Sequence, residues 1–163
     1  MQNSEFNQLL FKVVFYAMAC DGEIHESELA ELKEMLESSP YFNEVPDNTR
    51  FNQIMTDFKN KGAAVIADFI AELNLCKLQK RQGILLTEAL IRMIEADGDI
   101  AKSEIFYLQQ ITKALKLENK ELMIRFPNHI SLWLNDFVNE EELEFESIEA
   151  NKVNWDDLQK ILN

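Results

Sequence analysis

An eight-residue stretch occurs twice in this chain. Residues 21–28 read DGEIHESE and residues 97–104 read DGDIAKSE, so a shift of 76 positions leaves five of the eight identical. The identities are Asp21/Asp97, Gly22/Gly98, Ile24/Ile100, Ser27/Ser103 and Glu28/Glu104, and Glu23/Asp99 keeps its charge. The flanks hold the same register. Leu10/Leu86, Val13/Ala89, Val14/Leu90 and Ala17/Met93 precede the stretch, and Leu29/Ile105, Leu32/Leu108 and Met35/Ile111 follow it. One Asp-Gly pair means little. Two copies inside matching apolar frames of helical period define a duplicated helix-loop-helix unit.

Each position of the repeat has a mechanical role. Glycine admits the left-handed backbone that ends the first helix and turns the chain. The isoleucine is the loop's one apolar residue and is expected to plug into the core. The last glutamate falls in the first turn of the next helix, where its carboxylate meets free backbone N–H groups and the positive end of the helix dipole. Against a pure capping role, a capping box wants Ser or Thr three residues before the glutamate, and the chain has His25 and Ala101 there.

Apolar periodicity extends the helical reading over most of the chain. Helices are expected from Ser4 to about Cys20 and over about 25–37, with Ser38-Ser39-Pro40 stopping the second. A loop to Asn48 precedes helices at about 49–59, 62–75, 78–96, 101–116 and 118–126, the last closed by Pro127. Residues 131–137 are expected to be helical around Leu132, Trp133 and Leu134, and Asn154 to cap a short final helix with Asp156 and Asp157 in its first turn. Between them, residues 136–149 hold seven carboxylates and no base, which reads as a solvated segment with Leu143, Phe145 and Ile148 touching the core. The expectation is an all-α, single-domain bundle of seven to eight helices over residues 1–163. Its two helix-loop-helix units are related by an approximate twofold, and residues 136–163 form an acidic C-terminal extension.

Composition agrees. Four glycines and three prolines in 163 residues are few for a β-rich or disordered chain. Sixteen basic against 29 acidic residues give a net charge of −13, which repels nucleic-acid phosphates and anionic lipid heads. Divalent cations or basic protein surfaces are better partners. The longest apolar run, Val13 to Cys20, is far short of the ~20 residues that span a bilayer, and the acidic start MQNSEFNQLLFK is no secretory signal. Cys20 and Cys76 fit no metal or redox spacing and read as reduced core thiols of a cytoplasmic protein.

The spacing D-G-x-I-x-x-x-E matches the second half of an EF-hand calcium loop, but the first half fails. Ala17 or Met93 would occupy its first ligand position and Ala19 or Glu95 its third. Each loop alone offers one Asp, one backbone carbonyl and one bidentate Glu, about four oxygens where Ca²⁺ takes 6–8.

The segments AMACDGEIHESELAELKEML (17–36) and MIEADGDIAKSEIFYLQQITKAL (93–115) resemble the TerB-like family of tellurite-resistance proteins. The resemblance implies an all-helical fold whose two acidic segments chelate a divalent cation. It also implies a place in a stress-response system that includes a membrane protein and calcium-binding proteins, and so a protein partner in a membrane-associated complex. Carried over by position, the metal residues are Asp21, Glu23 and Glu28 in the first loop and Asp97, Asp99 and Glu104 in the second, with Glu95 in the second copy alone. Loops facing each other across a twofold would pool these carboxylates, and close like charges are costly without a cation. Such oxygens suit Ca²⁺ or Mg²⁺.

No glycine-rich phosphate loop and no two-histidine metal pattern is present, so an enzyme is not expected. Cys20 aligns with Ala96, which makes it a small buried residue rather than a nucleophile, and His129 reads as a loop or core-edge histidine. The alternative to a metal-binding module is a helical interaction scaffold whose acidic loops are only turns and caps. The basic cluster Lys77, Lys80 and Arg81, which interrupts an acidic surface, reads as a solvated helix start or, on the scaffold reading, as a docking spot.

Overall fold

A computed structural model describes residues 3–20, 24–37, 48–62, 64–96 and 98–129. Over these it is all-helical. The helices are α1 (Asn3–Ala19), α2 (Glu26–Glu37), α3 (Asn48–Lys61), α4 (Ala64–Leu75), α5 (Lys80–Glu95), α6 (Lys102–Ala114) and α7 (Asn119–Arg125), followed by a 3₁₀ turn at Pro127–His129. The expected boundaries hold to within about two residues. The helices expected beyond residue 130 and the acidic extension lie outside the described residues.

The chain's breaks are built from backbone geometry. Gly62 adopts φ 60° and returns its N–H to the Phe58 carbonyl at 2.8 Å, closing α3 with the left-handed residue that L side chains resist. Gly98 does the same work after α5, with φ 77° and its N–H on the Glu95 carbonyl at 3.1 Å.

The amphipathic pattern expected of α1 understates its burial. All eight side chains from Val13 to Cys20 are buried, because α1 is the centre of the bundle and has helices on several sides. Phe15 meets Phe58 of α3 edge-on at 5.5 Å between ring centroids, and Tyr16 meets Phe69 of α4 at 5.3 Å. A helix apolar all round is one that other helices enclose. Its main partner is α5, which brings Leu86, Ala89, Leu90, Met93 and Ile94 to the same core. α2 and α6 pack on α5, and α4 packs on α6 and α3. Ile24 and Ile100, the expected plugs, are both half-buried against this core.

Candidate functional site

The two copies of the repeat start their second helices alike. Glu28 is the third residue of α2, and its Oε2 accepts the N–H of His25 at 3.0 Å. Glu104 is the third residue of α6, and its Oε1 accepts the N–H of Ala101 at 3.2 Å. Both carboxylates are buried, at 1% exposure. The carbonyls of His25 and Ala101 in turn accept the N–H groups of Glu28 and Leu29, and of Glu104 and Ile105. Ser or Thr is therefore not needed ahead of the glutamate, because the glutamate alone satisfies the donor that would stay exposed at the helix start. A third helix start does this without charge: Gln82 accepts the N–H of Gln79 at 3.0 Å at the head of α5.

Helix pairings relate the two units. Arg92, near the end of α5, pairs with Glu31, the sixth residue of α2, at 2.5 Å. Shifted by the repeat, the equivalent residues are Tyr16 of α1 and Tyr107, the sixth residue of α6. The contact at that copy is one turn earlier on α1: the Tyr107 hydroxyl donates to the Val13 carbonyl at 2.9 Å. Burial, then Cys20 and Tyr16, push the Tyr107 phenol well above its ordinary range. The second helix of each unit is thus tied to the first helix of the other, α2 to the end of α5 and α6 to Val13 within α1.

Four of the seven carboxylates expected to hold a cation are described; Asp21, Glu23 and Asp97 lie outside the described residues. Asp99 is exposed. Glu28 and Glu104 face the backbone as above. Glu95 points elsewhere, its Oε1 lying 2.5 Å from Nδ1 of His129 in the 3₁₀ turn. That contact, which spans 34 residues of sequence, rests Glu95 on a histidine rather than among the other acids. Among the described residues, no three His, Cys, Asp or Glu side chains are arranged to hold a metal ion.

A cavity of about 420 Å³ opens beside this pair, between α5 and residues 125–129, with Ile91, Arg92, Glu95, Arg125, Phe126 and His129 among its walls. The thiols sit apart from it. Cys20 is buried and donates to the Ala17 carbonyl at 3.1 Å. Cys76 stands at the core's edge, half-buried, where burial and then Glu72 push its thiol up and away from the thiolate form.

The family model described as "Tellurite resistance protein TerB" matches residues 8–125. The chain belongs to the TerB family. The TerB match runs from the first turns of α1 to the end of α7 and so takes in both acidic turns. No curated protein and no solved structure is matched by the chain. Among the described residues, no helix of this TerB domain is long and apolar enough to cross a membrane.

Proposed function

We propose that this TerB domain is a non-catalytic module that binds a hard divalent cation, Ca²⁺ or Mg²⁺, at the end of the molecule where its two acidic turns meet. The reading is supported by the crossed pairings Arg92–Glu31 and Tyr107–Val13, which tie each unit's first helix to the other unit's second helix. Asp21, Glu23, Asp97 and Asp99 supply oxygens there, backed by Glu28 and Glu104. Donors that are all carboxylate, with no thiolate or imidazole among them, suit hard cations and not thiophilic metals. Glu95 joins them only by leaving His129. The cation relieves the repulsion between the turns, and the loaded end presents a surface to a protein partner. We place that partner in a stress-response complex at the cytoplasmic side of a membrane, in keeping with the family's tie to tellurite resistance.

A second reading has its own support. Gln82 caps α5 as Glu28 and Glu104 cap α2 and α6, so the twin glutamates are accounted for as caps of an interaction scaffold. Thermal melts separate the two. A ligand that binds only the folded state stabilises it by mass action, by about 1.4 kcal/mol at ten times its Kd. Ca²⁺ or Mg²⁺ at millimolar concentration is expected to raise the Tm, with the shift lost in Asp97→Asn and Glu104→Gln and kept in Glu146→Gln. No shift, or one shared by all three variants, would leave the scaffold reading.

A further inference from the structure

Basic charge is unevenly spread over this acidic chain. Residues 77–81 and 113–125 hold seven of its sixteen basic residues and only two acidic ones. The fold joins these distant segments, because the head of α5 and the connection from α6 to α7 share a groove of about 360 Å³. Leu78, Gly83, Leu115 and Leu117 give it an apolar lining, with Lys80 and Lys116 beside them and Glu118 and Glu121 on the same wall. Lys80, which pairs with Glu121, and Lys116 are exposed on its wall, and the exposed Lys77, Arg81 and Lys120 are sequence neighbours of its lining residues. The first turn of α5 has no acidic residue. Close by in sequence, Leu75 ends α4 with its side chain 82% exposed.

The chain carries its own complement to this surface. Residues 136–149 combine seven carboxylates, no base, and the apolar residues Leu143, Phe145 and Ile148. We propose that segment 136–149 docks in this groove on its own chain, its carboxylates against Lys77, Arg81, Lys116 and Lys120 and its apolar side chains on the Leu78–Leu117 lining. Opposite charges on a partly apolar, partly desolvated surface attract more strongly than the same charges in open water.

The tether allows it. His129 is held by Glu95 at the end of α5 away from the groove, and a 16-residue helix is about 24 Å long. Residue 136 lies seven positions after His129 and reaches about 23 Å in extended form, and residue 149 reaches about 66 Å. The segment spans α5 with chain to spare, so no second molecule is required. Docked there, it occupies a strongly basic region of a chain of net charge −13 and competes with any acidic protein surface for it.

Carbodiimide coupling of the full chain, read by mass spectrometry, tests this, since it joins a carboxylate to an amine only where the two touch. A mixture of ¹⁴N- and ¹⁵N-labelled protein separates links within a chain from links between chains. Lys77 and Lys116 are expected to couple to Glu140–Glu149 within one chain, several-fold more than the exposed Lys33, Lys59 and Lys102. The excess should fade in ~1 M salt, where the Debye length falls to about 3 Å. Arg81→Glu with Lys120→Glu, both at exposed positions, should lower it several-fold while helicity by circular dichroism stays unchanged. Links spread evenly over all lysines, links only between isotopes, or links untouched by the double reversal would overturn the proposal.

Discussion

Replacing Glu104 by glutamine and by alanine separates the parts of its role. Glutamine keeps the acceptor that the Ala101 N–H needs, and Gln82 shows in this same protein that a neutral side chain makes the bond at 3.0 Å. What glutamine loses is the charge at the head of α6, worth about 0.3–1 kcal/mol on a surface and up to ~2 kcal/mol when partly buried. Alanine removes the acceptor as well. Leaving a backbone donor without its partner costs about 1–3 kcal/mol, and truncating a side chain that is 1% exposed also empties packed space. We expect a loss below about 2 kcal/mol for Glu104→Gln and at least 2–3 kcal/mol for Glu104→Ala. At roughly 2–4 °C of Tm per kcal/mol for a chain of this size, the alanine variant should melt about 5–10 °C lower. The assay is a circular-dichroism melt in a chelator, so that no cation contributes. Equal losses from both substitutions would refute the reasoning, as would a harmless alanine. Glu28→Ala should fall by a similar amount, because its bond to His25 is the same bond at the other copy.

Gly98→Val should lower stability by ~1 kcal/mol or more, because a β-branched residue resists the φ of 77°. A Cβ built there meets nothing within 4 Å, so the loss is backbone strain alone, and an unchanged Tm would contradict it. Burial, then Asp57 and Glu72, raise the Tyr16 phenol far above its ordinary pKa, and Tyr107 is raised as well. Folded tyrosines then keep protons that unfolded ones release near pH 10, so stability is full below about pH 10 and falls above it. Each contributes about 1.4 kcal/mol per pH unit. Urea midpoints of Tyr16→Phe should fall less steeply than wild type in that range, and identical slopes would remove Tyr16 from the account.

Local rules made the helices legible. Apolar period, Pro40, Pro127 and the Asp-Gly turns mark element ends within a couple of residues, because each acts over one turn of chain. The capping role of Glu28 and Glu104 was legible too, although the missing Ser or Thr counted against it; the bond needs only the glutamate and the backbone. Gln79-x-x-Gln82 has the same spacing and was readable on the same rule. The contacts that aim the candidate site were not. Glu95 with His129 spans 34 residues and Tyr107 with Val13 spans 94, and nothing within one turn of either residue encodes its partner. That is why Glu95 reads in sequence as one more acid of its loop. The burial of α1 was hidden for a related reason: its periodicity marks the face that meets α5, while residues far along the chain decide what covers the rest.

The enclosure of α1 also sets an order of events during synthesis. Translation yields α1 first, yet α5, its main partner, is complete only 76 residues after Ala19. At roughly 5–20 residues per second, that is an interval of about 4–15 s. During it, the run Val13–Cys20, buried throughout in the finished fold, can meet α3 and α4 but lacks the helix that packs on it most. The emerging chain therefore spends seconds presenting the kind of surface that molecular chaperones bind and that drives self-association. Its duplicated architecture, which supplies the late partner as a second copy of the early helix, is what imposes that wait.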